Sequence, residues 1–199
     1  MKILAICGSP RKKGNTYSAL NAIQEQYPDI EYKILRLSDV NLEMCRGCYV
    51  CVLRGEEKCP IKDDRDMIIN EMLEADGIIF ASPVYCIHIT ALMKNFIDRL
   101  GFYAHRPRFY DKFAMVMVTC SGYGGEEANK YMTSQFSAHG FNMVSSLELE
   151  IQPGTMSEKK KRDNHEKTMT AFNTLLARIE KGERNTPSLG LLVPFNLFK

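Results

Sequence analysis

Little in this chain of 199 residues points to a membrane, a nucleic acid or a secretory disulfide framework. No apolar run approaches the about 20 residues that cross a bilayer, and no signal-like segment opens the sequence, so a soluble cytoplasmic protein without a membrane-spanning segment is expected. Lysine and arginine number 26 against 24 aspartates and glutamates, and the net charge of +2 is too small to predict nucleic-acid binding. The basic run in Ser157 to His165 reads as the solvated start of a helix. Only four histidines occur, His88, His105, His139 and His165, scattered without a metal motif. Gly-x-Gly-x-x-Gly and Gly-x4-Gly-Lys-[Ser/Thr] are both missing, which excludes the dinucleotide fingerprint and the nucleotide-triphosphate loop. No repeat or low-complexity block is evident.

What is present is an ordinary globular composition with 45% apolar residues, enough for one domain that buries roughly 70% of its unfolded surface without disulfides. Seven cysteines stand out, four of them crowded between Cys45 and Cys59. In a reducing compartment such a group serves metal binding, thiol chemistry or packing.

Periodicity divides the chain into alternating strands and helices. Residues 2–7 form a short apolar strand ended by glycine and proline, and Asn15 or Thr16 is placed to cap a helix starting near Tyr17. Residues 31–37 alternate as a second strand, and a cysteine-bearing excursion occupies 44–60. Asp63 and Asp64 precede a helix bearing Met67, Ile68, Met72 and Leu73. Residues 77–81 are a third strand, with Ser82-Pro-Val-Tyr85 as a strand-to-helix loop before a helix over 90–100. Residues 113–119 are apolar without alternation, as in a central strand covered on both faces. Ser121-Gly-Tyr-Gly-Gly125 breaks that strand; a helix over 128–138, a fifth strand over 141–151 and a helix over 159–181 follow. The expected fold is an α/β flavodoxin-like three-layer sandwich, with a five-stranded parallel sheet in the order 2-1-3-4-5. It occupies 1–182, and residues 183–199, with Leu189, Leu191, Leu192, Val193, Phe195, Leu197 and Phe198, form a hydrophobic strap for packing on the domain or on a second subunit.

The segment Gly8-Ser-Pro-Arg-Lys-Lys-Gly-Asn-Thr16 gathers hydroxyl, amide and backbone N–H groups at a helix start, where phosphate oxygens can be satisfied without magnesium. Candidate contacts are Ser9, Gly14, Asn15, Thr16 and Ser18, with Arg11 and Lys12 adding charge. Taken with the cysteine group, Ser82-Pro-Val-Tyr85 and Lys94-x3-Asp98-Arg99, this segment resembles the NAD(P)H-dependent FMN reductase family, in its iron-sulfur flavoprotein branch, over roughly residues 1–180. The resemblance implies that Ser9, Arg11, Asn15 and Thr16 hold the FMN phosphate. It also implies that Ser82, Pro83, Val84, Tyr85, Cys86 and Ile87 line the isoalloxazine, and that Ser121, Gly122, Tyr123, Gly124 and Gly125 lie on its other side. Chemistry then belongs to FMN, and no side chain is assigned a catalytic role. Lys94 and Arg99 read as surface pairing or structural support.

Cys45-x2-Cys48-x2-Cys51-x7-Cys59 has ferredoxin-like spacing, and the resemblance implies one [4Fe-4S] cluster held by all four cysteines. Tetrahedral zinc, an oxidisable Cys48–Cys51 dithiol and plain packing remain open from the residues alone. The leading function is an FMN-dependent oxidoreductase working between NAD(P)H, or a redox carrier such as ferredoxin, and an unspecified acceptor. Its alternatives are a cluster-free quinone, nitroaromatic or metal-ion reductase and a noncatalytic redox sensor or binding module. A homodimer or homotetramer is expected by the same resemblance.

Overall fold

A computed structural model of the chain describes residues 1–152 and 154–185. The strap expected over 183–199 lies, beyond residue 185, outside the described residues. Strand β1 (Lys2–Cys7) is central: it pairs in parallel with β2 (Glu31–Arg36) on one side and β3 (Gly77–Tyr85) on the other. Beyond β3 come β5 (Phe113–Cys120) and β6 (Asn142–Glu150), both parallel to it. The five parallel strands therefore stand in the expected order. A sixth, the two-residue β4 (His88–Ile89), folds back antiparallel on the end of β3.

The strands are continuously apolar because each face meets its own core. Ile3, Ala5, Ile79 and Met115 pack with Leu20 and Ile23 of α1 (Asn15–Gln26) and with Phe172 and Leu175 from residues 158–181, where the last helix runs. On the opposite face Leu4, Ile6, Phe80 and Val116 meet helices that follow a short α2 (Val50–Arg54). These are α3 (Arg65–Glu74), α4 (Ala91–Arg99) and α5 (Gly125–Ala138), which contribute Ile68, Met93, Phe96, Met132 and Phe136. The last helix, α6 (Glu158–Lys181), is capped by Ser157 and stops at Gly182. No described helix is long and apolar enough to cross a membrane.

The Ser82-Pro-Val-Tyr85 segment corrects the expected loop: it continues β3. Pairing of β1 with β3 ends at Cys7 and Ala81, whereas β3 and β5 remain paired to Pro83 and Thr119. Past Ala81, β3 is an edge on the β1 side, where a proline without an N–H is tolerated.

His139, at the end of α5, carries a pH consequence. Its ring is 1% exposed, its Nδ1 has no partner among the described residues, and burial pulls its pKa down from 6.5 to about 4. The unfolded chain takes up this proton more readily than the folded one. The stability from a neutral His139 is therefore complete above about pH 6.5 and is lost as pH falls toward 4. In urea titrations at pH 6.5 and 4.5, wild type should lose about 2 kcal/mol more than His139→Gln. Equal losses would remove His139 as the cause.

Candidate functional site

The turn after β1 is fixed by its neighbours. The Gly8 N–H donates to the Ala81 carbonyl at 2.8 Å, and the Thr90 hydroxyl donates to the Gly8 carbonyl at 2.8 Å. A Cβ at Gly8 would stand 3.0 Å from Met93 Cβ, so the backbone here approaches α4 closely and a side chain would require α4 to give by a few tenths of an ångström. Ser9 is buried and its Oγ accepts from the Arg11 N–H at 3.3 Å. The helix begins at Asn15 with Gly14 as its N-cap and no side-chain cap, so neither Asn15 nor Thr16 does the expected capping. Its first N–H groups are left facing the turn with the positive end of the helix dipole. The Thr16 hydroxyl instead lies 2.7 Å from that of Thr119, at the far end of β5. Arg11, Lys12, Asn15 and Ser18 are exposed, and Asn15 and Ser18 also border a cavity of about 170 Å³ between α1 and α6. Buried Arg36, which the sequence reading missed, braces this turn from β2 by donating to the Pro10 carbonyl at 2.9 Å while its guanidinium lies over Tyr17.

The segment after β3 is a hairpin. Ser82 is fully buried, and its Oγ accepts from the Thr90 N–H at 3.2 Å. Val84 pairs with Ile89 and Tyr85 with His88, leaving Cys86 and Ile87 as a two-residue turn with φ of 48° and 68°. Positive φ at both positions is the geometry usually given to Asn-Gly. A β-branched residue there is a genuine outlier, costing about 1–2 kcal/mol. Gly124, at φ 92°, lies against this turn: a Cβ on it would run into the Ile87 carbonyl. Gly125 is packed just as closely on the Glu148 carboxylate. Ser121 and Gly122 are exposed, and the Cys120 thiol donates to the Tyr123 carbonyl at 3.3 Å. Tyr85, Ile87 and Tyr123 form an exposed apolar rim, Tyr123 at 90% exposure.

Three loops thus meet at the carboxyl edge of the sheet, each pair tied by one contact: Thr90 to Gly8, Thr16 to Thr119, and Gly124 to Ile87. This is the crevice beside the strand where the chain reverses direction across the sheet, the usual ligand position in open α/β sheets. Thr90 had a legible signal, since a threonine just before an apolar helical period is an N-cap; here it accepts from the Met93 N–H.

The cysteine excursion leaves β2 and returns at α3. Cys45 and Cys48 are exposed, Cys51 is half-buried on α2, and Cys59 is buried after a short 3₁₀ turn over Glu56–Lys58. Left-handed Gly47 and Tyr49, at φ 61° and 58°, curl the backbone on both sides of Cys48. The limbs of the excursion are held by α4. The Asn95 amide donates to the Leu42 carbonyl at 2.9 Å and accepts from the Cys45 N–H at 3.4 Å. One turn on, Arg99 donates to Cys59 Sγ at 3.5 Å and to Asp63 Oδ1 at 2.7 Å. Asp63 also accepts from the N–H groups of Glu43 and Arg65, so its carboxylate ties the beginning of the excursion to its end. Asp64 accepts from Asn41 N–H at 2.7 Å. Asp64 is the N-cap residue of α3 but makes no side-chain cap bond. Arg106 donates to the Cys51 carbonyl and pairs with Glu56.

These surroundings separate the thiols. Burial raises the Cys51 pKa, with added repulsion from Cys59 and Cys45. Burial also pushes Cys59 up, but the Arg99 hydrogen bond, the Ile61 backbone and the Arg65 charge outweigh it and leave the pKa below the usual thiol value. Among the described residues no three His, Cys, Asp or Glu side chains close around a single metal ion. A tetrahedral zinc site would need sulfurs about 3.8 Å apart, from its 2.3 Å bonds. Each thiolate of a four-iron cluster binds a different iron, so it asks for a wider set. Four thiols with a cationic, hydrogen-bonding wall are a donor set chemically fit for such a cluster.

The chain matches the family described as NADPH-dependent FMN reductase over residues 1–155. An iron-sulfur flavoprotein of Archaeoglobus fulgidus is 34% identical over 163 residues, covering 80% of this chain and 73% of that protein. One from Methanocaldococcus jannaschii is 39% identical over 156 residues, covering 74% of each. Among solved structures, the NAD(P)H:quinone oxidoreductase of Methanothermobacter marburgensis superposes with a TM-score of 0.71 over 88% of this chain and 97% of that one, at 19% identity, a likeness of fold. With the parallel sheet, the open helix start at Gly14 and the family match over most of its length, the chain belongs to the NADPH-dependent FMN reductase family of FMN-dependent NAD(P)H oxidoreductases, in its iron-sulfur flavoprotein branch.

Proposed function

We propose that the three-loop crevice binds FMN, that the four cysteines hold a [4Fe-4S] cluster, and that the protein passes electrons between NAD(P)H or a small redox carrier and an acceptor. The observation that carries the reading is the convergence of the loops after β1, β3 and β5 on one uncapped helix start. Ser9, Asn15, Thr16 and the open N–H groups at the beginning of α1 hold the phosphate, with Ser18 at the margin. At Gly14 an added Cβ would meet Arg11 Cβ at 3.0 Å and Ser9 Oγ at 3.4 Å, so the glycine keeps this cradle open. Arg11 and Lys12 supply exposed positive charge beside it. Residues 82–87 and 121–125 line the ring from two sides. Tyr85, Ile87 and Tyr123 offer an exposed apolar lip on which a planar donor or acceptor can stack while water is displaced.

When bound, FMN supplies hydride acceptance and single-electron release, and the cluster supplies one-electron transfer. Side chains orient, desolvate and balance charge; none is assigned as acid or base, because hydride transfer requires no proton from the protein at the transferred atom. Cys45, Cys48, Cys51 and Cys59 are the cluster ligands. Self-association and a ferredoxin-like partner belong to the same reading.

Protein isolated without oxygen should contain about one FMN, four iron and four acid-labile sulfide per chain, and NADH or NADPH should bleach its flavin absorbance. FMN without iron or sulfide would instead make it a cluster-free reductase. Absence of turnover with every donor and acceptor would favour a redox sensor.

A further inference from the structure

We propose that Arg99, held by Asp63, is a positioning residue for Cys59 that raises the reduction potential of the centre this thiolate joins. The inference rests on the cluster reading and concerns how this chain tunes that centre.

The Arg99–Asp63 pair is almost completely enclosed, with side chains 2% and 1% exposed. Burying two charges costs desolvation, which is offset only when the remaining donors and acceptors are used. Asp63 meets that condition through its bonds to Arg99, Glu43 N–H and Arg65 N–H. Arg99 does not meet it with oxygen acceptors alone: one amino group takes Asp63, the other is aimed at Cys59 Sγ, and Nε has no partner among the described residues. A neutral thiol is a weak acceptor, whereas a thiolate accepts a charge-assisted bond. The arrangement is therefore suited to a sulfur that stays deprotonated, as a metal ligand does.

The four thiols are also not equivalent. Cys45 and Cys48 are exposed, while Cys59 is buried against a guanidinium. Hydrogen bonds to sulfur, local charge and solvent exposure set the potential of an iron-sulfur centre. Reduction adds negative charge, and a cation fixed beside one ligand favours the reduced state. Arg99 therefore raises the potential, and Asp63, through its own negative charge, limits the rise.

The test is a redox titration followed by electron paramagnetic resonance on the intact protein purified without oxygen. Arg99→Gln should shift the cluster midpoint negative by about tenfold in the reduction equilibrium, about 59 mV for one electron. Asp63→Asn, which keeps the guanidinium and removes its counter-charge, should shift it positive. Arg99→Lys should restore at least half of the change, and FMN content should stay at wild-type level in all three. A purely structural role predicts loss of iron in the variants without shifts of opposite sign. Iron-replete variants with an unmoved midpoint, or with shifts of the same sign, overturn the assignment of Arg99 alone. Wild-type protein without iron or sulfide overturns the cluster reading and, with it, this role.

Discussion

Replacing Gly124 with alanine is expected to weaken FMN binding about 100-fold while leaving the sheet folded. The new Cβ would collide with the Ile87 carbonyl, which is backbone and cannot turn away as a flexible side chain does. The substituted residue would also sit at φ 92°, where an L side chain is strained. Relief requires moving the Tyr85–His88 hairpin or the 121–125 loop, the two walls assigned to the flavin ring. A combined cost of about 3 kcal/mol corresponds to roughly two powers of ten in affinity. Gly101→Ala is the matched control, because among the described residues nothing lies within 4 Å of a Cβ there and the position is outside the proposed flavin walls. Fluorescence titration of flavin-stripped protein reads both. Equal affinities for Gly124→Ala and wild type would take these walls out of the FMN site.

The second large effect is expected at Cys48. Cys48→Ser should drop iron and acid-labile sulfide from about four each to below about one per chain, with FMN retained. Cys48 is exposed and lies between two left-handed residues, Gly47 and Tyr49. Tyr49 bears the steric cost of that conformation without the freedom of glycine, which is how backbone strain marks a functional loop. Cys86→Ser, another exposed cysteine but on the hairpin turn, should keep its metal. Full iron in Cys48→Ser would remove this residue from the ligand set, and equal loss in both variants would point to nonspecific damage.

Much of the scaffold is legible because its causes are local. The unbroken apolar run at 113–119 becomes β5, buried along all of its length from Phe113 to Cys120, and the glycine and proline after Cys7 end β1. The turn after β1 and the start of α1 are legible for the same reason, since the residues proposed there for phosphate, Ser9 to Ser18, lie together in sequence. The misread elements depend on distant partners. Nothing near Thr16 indicates that its hydroxyl pairs with Thr119, 103 residues away, rather than with its own helix. The Cys86-Ile87 turn lacks the usual asparagine and glycine, so β4 leaves no hairpin signal and Pro83 suggests a loop. Lys94 and Arg99 look alike as helix cations. In the fold, Lys94 pairs with Asp98 on the surface, while Arg99 is buried with Asp63 beneath the cysteines. Tertiary packing, and not charge pattern, separates them.

Thr90 and Arg99 stand at opposite ends of α4, one bonded to the turn after β1 and the other to Cys59. Nine residues at 1.5 Å each give a strut about 13 Å long, anchored to the sheet by the fully buried Met93 and the almost fully buried Phe96. The turn after β1 and the cysteine excursion, the two proposed cofactor sites, are consequently held against one another with the tolerance of a helix and not of a loop. A volume change at Phe96 that rolls this strut should disturb both ends together, so defects in flavin retention and in cysteine chemistry ought to be inherited as a pair from a position that touches neither.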